Sequence, residues 1–191
     1  METKETLKLS DIACYLPYGL KMQVKNLGIL ELTDISLDKE YPCWFRTFGD
    51  YENPDFNYRI LTHNNCIGKG YILSEIKPIL RPISDLYKPL KNGNIPAIEI
   101  AKLVDNGHNH TDSIVKSYGV GHIRVYTEKC DDVEAVNLRF DNDGLNSISK
   151  FGEAIHIRTF LRIQDYLNEH HFDYKNLIGR GLAIDINTIK L

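Results

Sequence analysis

Two short patterns in the chain combine residue types that bind divalent metals. The first is the segment Asp105-Asn-Gly-His108-Asn-His110-Thr-Asp112, in which imidazole and carboxylate side chains alternate. His-x-His-x-Asp supplies such ligands in zinc-dependent hydrolases. Here the next residue, where a histidine for a second metal is expected, is Ser113, and a predicted helix precedes the motif in place of a buried strand. The sequence therefore favours a polar surface loop, with a metal site at His108, His110 and Asp112 as the alternative.

The second pattern is Asp55 followed by Glu75 and Lys77. In nucleases of the PD-(D/E)xK type the carboxylates hold Mg²⁺, and the lysine stabilises the charge that builds on the phosphate. Those nucleases flank their strands with helices, and no helix is predicted before Asp55. A metal-dependent nuclease is therefore kept as an alternative function, with these three residues as its candidate catalytic set.

No other motif predicts catalysis or a cofactor. The sequence contains no glycine-rich phosphate loop, no nucleophile elbow and no Ser, His and Asp arrangement typical of a hydrolase. The cysteines are too widely spaced for a zinc or redox pair, and we expect them to be reduced and apolar in character. We therefore expect no cofactor, and the sequence favours a protein that is not an enzyme. The cysteines are Cys14, Cys43, Cys66 and Cys130.

The composition is that of an ordinary globular protein. The 191 residues are 42% hydrophobic and 26% charged, and the formal net charge is −3. A protein that grips a phosphate backbone usually has a basic excess or stripe, so nucleic acid is not the favoured partner. The apolar runs are too short to span a membrane, and the polar start of the chain does not resemble a secretory signal. These features predict a cytoplasmic protein without membrane contact.

Residue periodicity predicts strands through most of the first half of the chain. Strands are expected over 21–24, 29–35, 44–48 and 58–62, and another begins at Gly70. Short strands at near-regular spacing predict an antiparallel meander or a small barrel.

Helical signals begin after residue 83. Ser84 and Asp85 are expected to cap a short helical turn, and Asn94-Ile95-Pro96 to open a mostly buried helix. Two strands near 123–126 and 135–140, and a terminal strand over 182–186, are also expected. A second helix is predicted near 156–170, with an apolar face formed by Ile157, Phe160, Leu161, Gln164 and Leu167 and widened by Ile163 and Tyr166.

These elements predict an α+β fold. The first lobe, over 1–83, is β-rich, and the second, over 84–191, contains the helices and a few further strands. No linker of Gly, Ser or Pro separates the lobes, so we expect one domain over 1–191.

Three stretches of the chain resemble a known family. They are Leu16-Pro-Tyr-Gly-Leu-Lys21, Lys77-Pro-Ile-Leu-Arg-Pro-Ile-Ser-Asp-Leu86, and Phe172-Asp-Tyr-Lys-Asn-Leu-Ile178 followed by Gly181-Leu-Ala-Ile-Asp-Ile-Asn-Thr188. In this order they are similar to short uncharacterised proteins encoded by gut-bacterial phages and integrated mobile elements. The resemblance implies an accessory protein that works inside a bacterial host cell, and it implies no catalytic residue.

Arg81 is the residue of these stretches with the clearest binding chemistry. It lies between apolar neighbours, where it could pair with Asp85 or Asp185 or contact a partner. The sequence as a whole favours a non-enzymatic binding or regulatory protein that acts on a host component, with counter-defence as one such role. A nuclease and a nucleic-acid-binding protein are the alternatives.

Overall fold

The structure is a computed structural model that describes residues 5–25, 28–35, 43–46, 68–71, 73–105, 113–117, 122–127, 135–141, 144–150 and 152–189. Internal contacts divide the chain into two compact units, one formed by Met1–Leu80 with Leu177–Leu191 and the other by Arg81–Asn176. The single domain expected over 1–191 stays a prediction. None of the described helices is long and apolar enough to cross a bilayer.

The structure contains both strands and helices, which confirms the α+β prediction. The helices are α1 (Leu9–Ile12), α2 (Pro96–Val104) and α3 (Ile157–Glu169), and short 3-10 turns cover Ala13–Tyr18, Leu73–Glu75, Ile83–Tyr87 and Ile186–Thr188. The strands are β1 (Lys21–Val24), β2 (Gly28–Ile35), β3 (Cys43–Arg46), β4 (Gly68–Tyr71), β5 (Ile76–Leu80), β6 (Ser113–Ser117), β7 (His122–Thr127), β8 (Val136–Asp141), β9 (Gly144–Lys150), β10 (Glu153–Ala154) and β11 (Ile184–Asp185).

A six-stranded sheet in the order β11-β5-β1-β2-β3-β4 forms the first unit. The strands β1 to β4 are successive antiparallel neighbours, as in the predicted meander. Burial alternates along β1, where Met22 and Val24 are buried and Lys21 is exposed. This period of two is the pattern that predicted the strand.

Strand β5 lies inside this sheet, between β1 and β11, although its proline suggests an edge strand. Pro78 pairs with Met22 of β1, whereas β11 pairs in parallel with Ile79 and Leu80 alone. The missing N–H of Pro78 therefore leaves no gap in the short parallel ladder.

The C-terminal strand is shorter than the predicted segment 182–186, because only Ile184 and Asp185 pair with β5. The preceding segment folds back on itself, and the carbonyl oxygen of Leu177 accepts from the N–H groups of Leu182 and Ala183 at 2.8 and 3.1 Å. Leu177, Leu182 and Ala183 are buried, and Ile184 is half-buried. The hydrogen bonds of this turn and the burial of Leu177, Leu182 and Ala183 therefore hold the segment in place, and strand pairing contributes only at its end.

A five-stranded antiparallel sheet in the order β10-β9-β8-β7-β6 forms the second unit. Its buried face consists of Ile123, Val125, Val136, Leu138 and Ile148. Helix α2 packs against β6 and β7 and also against α3. Helix α2 therefore covers part of the apolar side of this sheet, and α3 packs on α2.

Helix α2 begins where the sequence predicts, with Ile95 at the N-cap and Pro96 in the first turn. Pro is suited to this position because its N–H would have no helical acceptor. At the other end, the Nζ of Lys150 on β9 forms an ion pair with Asp105, the C-cap residue of α2. This pair ties the helix to the sheet.

We predict that Gly144→Ala destabilises the protein far more than Gly152→Ala. Gly144 has φ +112°, and a Cβ there would overlap the Tyr174 carbonyl oxygen and lie 2.8 Å from the Cα of Lys175. Gly152 has φ +78° but has nothing within 4 Å of the same position. We expect losses of about 3–5 kcal/mol and about 1–2 kcal/mol, respectively.

Urea unfolding followed by circular dichroism measures both losses. Gly152→Ala is the matched control, because it has the positive φ without the steric overlap. Equal losses in the two variants would show that the β8–β9 hairpin does not approach Tyr174 as described.

Candidate functional site

The candidate nuclease residues that the structure describes lie on different local structures. Glu75 is exposed at the end of a 3-10 turn. Lys77 is exposed on β5, where its Nζ donates to the carbonyl oxygen of Gly181 at 3.0 Å. Asp55 lies outside the described residues, so the set of three stays a prediction from sequence.

The residues of the candidate metal loop, His108, His110 and Asp112, also lie outside the described residues. Within the part of the chain that the structure describes, no three His, Cys, Asp or Glu side chains are grouped so that they could hold a metal ion. Cys14 is half-buried, and its Sγ donates to the carbonyl oxygen of Asp11 at 3.8 Å.

The backbone of Arg81 joins two distant segments of the second unit. Its N–H donates to the carbonyl oxygen of His171, and its own carbonyl oxygen accepts from the N–H of Asp173, both at 2.8 Å. These bonds form an isolated parallel bridge between Arg81 and Phe172. The chain just after α3 is thereby held against the chain just before the 3-10 turn Ile83–Tyr87.

The side chain of Arg81 stabilises the same contact. We call this contact, between Arg81 and the segment 171–173, the joint. Its Nη1 lies 3.6 Å from Oδ2 of Asp85, and its guanidinium carbon is 5.8 Å from the ring centroid of Phe172. Asp85 is 5% exposed and also accepts from Nζ of Lys88 at 2.7 Å. The sequence suggests Asp85 or Asp185 as the ion-pair partner of Arg81, and the Arg81 guanidinium lies near Asp85. A partner-binding role of Arg81 stays a prediction.

Tyr166 belongs to the buried side of α3 near this joint. Its ring centroid lies 4.3 Å from that of His170. Burial raises the pKa of Tyr166 far above its ordinary range, the carboxylates of Glu99 and Glu169 raise it further, and the Arg81 guanidinium partly offsets them. The phenol is therefore neutral at physiological pH.

Three buried polar atoms in this region make no hydrogen bond within the described structure. They are Nε of Arg81, Oη of Tyr166 and Oδ1 of Asn168. An unpaired buried polar atom typically costs about 1–3 kcal/mol. The joint is therefore held by its backbone bonds and packing, and its polar atoms are not fully satisfied.

Helix α3 begins without the acidic residues that usually stabilise a helix N-terminus. The N-cap His156 has an extended backbone, and its Nδ1 accepts from the N–H of Arg158 at 3.2 Å. The first turn contains no Asp or Glu. Arg158 instead places a positive charge near the positive end of the helix dipole.

The first two turns of α3 expose an apolar pair beside a basic pair. Ile157 is 63% exposed and Leu161 is 53% exposed. Arg158 and Arg162 are also exposed, and within the described residues neither forms an ion pair. Residues four apart lie on the same side of a helix, so each pair forms a continuous stripe. We call these four residues the α3 face.

The apolar face of α3 that the sequence predicts is only partly buried in the structure. Ile163 and Leu167 are buried, and Phe160 and Gln164 are half-buried, whereas Ile157 and Leu161 are exposed. The buried side of α3 is centred on Ile163 and Leu167, so the residues that widen the predicted face lie nearer its buried centre than Ile157 and Leu161 do. Helical periodicity detected the apolar residues but could not show which of them the rest of the fold would cover.

The α3 face is unfavourable for the free protein. Two large apolar side chains remain in water, and two arginines four residues apart repel each other. A partner that covers the apolar pair and supplies carboxylates would remove both costs. The arrangement is therefore typical of a binding surface.

No family model, curated protein or solved structure matches the chain. What the protein does must therefore follow from the chemistry of its own residues.

We predict that Arg81→Met destabilises the protein more than Lys88→Met, although both remove a cation from Asp85. Arg81 has a side-chain exposure of 27% and lies over Phe172, whereas Lys88 has a side-chain exposure of 54%. We expect losses of about 1–3 kcal/mol and below about 1 kcal/mol, respectively. Thermal and urea unfolding measure the difference, and similar small losses would show that Arg81 is not the anchor of the joint.

We also predict that Tyr166→Phe raises the stability by about 1 kcal/mol at pH 7, because it removes a buried hydroxyl that has no partner. The folded-state pKa of Tyr166 lies above the unfolded value of about 10, so above about pH 10 ionisation of this phenol favours the unfolded chain. The stability of the wild type therefore falls as the pH rises further, whereas Tyr166→Phe has no such ionisation.

The advantage of Tyr166→Phe should therefore grow in alkaline solution. Urea midpoints of the two proteins at pH 7 and at about pH 10.5 test this. A hydroxyl that matters to the fold would instead make the variant less stable at both pH values.

Proposed function

We propose that the chain is a non-enzymatic binding protein that attaches to a host protein through the α3 face. The setting is a phage or mobile element inside a bacterial cell, which rests on the sequence resemblance. The observation that supports the binding role is the combination of exposed Ile157 and Leu161 with exposed Arg158 and Arg162, which form no ion pair within the described residues. By occupying its target, such a protein regulates a host process, and counter-defence is one such role.

The chemistry of the α3 face specifies the partner. Burying an aliphatic side chain is worth roughly 1.5–3 kcal/mol, so Ile157 and Leu161 can anchor the contact. Arginine is suited to carboxylates because its planar group donates two parallel hydrogen bonds. The expected partner surface is therefore an apolar depression bordered by Asp or Glu side chains.

A membrane is a poorer partner for this face. Asp165 and Glu169 lie on the same exposed side in the last two turns of α3. An anionic lipid surface would repel them, and interfacial helices usually have a polar side rich in Lys and Arg.

A second copy of the chain is the other possible occupant. Antiparallel pairing of two α3 helices would bring Arg158 opposite Glu169 and Arg162 opposite Asp165. A helix of 13 residues is only about 20 Å long. Contact between two such helices is small compared with the ~1,200–2,000 Å² of a stable interface, so a larger partner is favoured.

We predict that Leu161→Ser and the double variant Arg158→Glu/Arg162→Glu abolish partner binding without loss of stability. A photo-crosslinking amino acid at position 165 in the full chain, expressed in a bacterial host, captures the partner. We expect at least a tenfold fall in the crosslinked product for both variants. The charge reversal should change the stability of α3 by less than about 0.5 kcal/mol, because negative charge in the first turns complements the helix dipole but one like-charge pair replaces another.

Arg139→Glu, on an exposed strand position of the same unit, is the control for a single charge reversal away from α3 and should crosslink like the wild type. A product that persists in Leu161→Ser and in the charge reversal would refute the α3 face as the binding surface. A product that contains two copies of the chain would show that the α3 face mediates self-association and does not bind a host protein.

A further inference from the structure

A tight, exposed turn precedes helix α2. The N–H of Leu90 donates to the carbonyl oxygen of Asn94, and the N–H of Gly93 donates to the carbonyl oxygen of Leu90, both at 2.8 Å. Residues 91–94 are all exposed. The turn is therefore closed by two backbone hydrogen bonds in a segment whose side chains lie in solvent.

The side chain of Asn92 folds back over this turn. Its Oδ1 accepts from the N–H of Asn94 at 3.1 Å. An Asx turn of this kind places the side-chain amide of a residue beside the peptide group that follows it. The carbonyl carbon Cγ of Asn92 is thereby held near the peptide nitrogen of Gly93.

Gly93 leaves space for a reaction between these two groups. It has φ +84°, and no heavy atom lies within 4 Å of the position that a Cβ would occupy. A Cβ on the following residue obstructs the approach of an asparagine side chain to the backbone nitrogen, and glycine has no Cβ. Asn94 is the contrasting case, because the β-branched Ile95 follows it.

We propose that Asn92 is a site of spontaneous deamidation, a covalent modification that needs only water and hydroxide. Hydroxide removes the N–H proton of Gly93, and the nitrogen attacks Cγ of Asn92. The new N–Cγ bond closes a succinimide ring, the bond from Cγ to Nδ2 breaks, and Nδ2 takes up a proton from water and leaves as ammonia. One water molecule then opens the ring at either carbonyl group, which yields aspartate or isoaspartate. The net reaction consumes water, releases ammonia and gives position 92 a negative charge.

The hydrogen bond from Gly93 to Leu90 controls the rate of this reaction. While the Gly93 N–H donates to that carbonyl oxygen, its nitrogen is not free to attack. Deamidation therefore proceeds from molecules in which the turn is open. Exposed backbone bonds with few packed neighbours open far more easily than the whole domain unfolds. Two such bonds slow the reaction by about 10–100-fold relative to the unfolded chain.

The two products affect the turn differently. Aspartate retains an acceptor for the N–H of Asn94, and a charged acceptor forms a stronger hydrogen bond. Isoaspartate carries the main chain through the former side chain, so it lengthens the turn and removes that acceptor. The turn leads into α2, whose N-cap Ile95 has no side-chain hydrogen bond that would hold the helix start independently. The modification is separate from the α3 face, and neither proposal depends on the other.

Incubation of the full chain in mildly alkaline solution, with and without concentrated urea, tests the proposal. Peptide mapping by mass spectrometry measures the conversion at each asparagine and separates Asn92 from Asn106, which also precedes a glycine. We expect conversion at position 92 in both samples, about 10–100-fold slower in the folded protein. Asn94 should be unchanged in both.

Two glutamine variants control for the position of the reaction. Asn92→Gln should give no product at position 92, because its longer side chain must close a larger ring. Asn94→Gln leaves the backbone bonds of the turn in place, and its Asn92 should convert at the wild-type rate. Asn92→Asp reproduces one product, and its urea midpoint should equal or exceed that of the wild type.

Three results would overturn the proposal. The first is no product at position 92 in the folded protein after about ten half-lives of the unfolded-state reaction, because even a roughly hundredfold slowing leaves a detectable fraction. The second is equal conversion of Asn92 and Asn94, because Gly93 would then not determine the site. The third is an equal rate with and without urea, because the turn would then not control the reaction. Each result leaves the crosslinking test of the α3 face unaffected.

Discussion

The bridge between Arg81 and Phe172 is the constraint on which the second unit depends. Arg81 is the first residue of that unit, and Phe172 lies four residues before its end at Asn176. The two backbone bonds therefore close almost the whole unit into a loop. Closing a loop of this length is entropically unfavourable, so the bridge needs support from packing. The fully buried ring of Phe172 and the ion pair of Arg81 with Asp85 supply it.

The same joint determines which residues of α3 are exposed. The chain after α3 is fixed at Phe172, where the N–H donates to the carbonyl oxygen of Leu167 at 2.8 Å. Leu167 and Ile163 must then face the interior, and the opposite side of the helix is left with Leu161 and Arg162 in solvent. The exposed apolar residues of α3 are thus a consequence of how its end is anchored. The stability of the unit does not explain why large aliphatic residues occupy these exposed positions.

Sequence patterns predicted the fold class and several elements because those elements have strong local signals. The alternation in Lys21-Met22-Gln23-Val24 and the Pro96 that opens α2 are examples. Strands β6 and β9 were not predicted, since β9 is rich in Asn and Ser and its pairing depends on β8, which lies next to it only in the folded chain. The pairing of Lys116 with Arg124 escaped prediction for a related reason, because these residues become neighbours only through the register of β6 and β7.

Net charge is a poor guide to a binding surface, because it averages over residues that the fold separates. The chain as a whole has a formal charge of −3, yet the first two turns of α3 expose Arg158 and Arg162, and the last two expose Asp165 and Glu169. The sign of the exposed charge therefore changes along the helix, in the direction opposite to the one that the helix dipole favours. This arrangement is not explained by the stability of the helix, and a partner that contacts the first two turns meets a local positive charge despite the acidic balance of the whole chain.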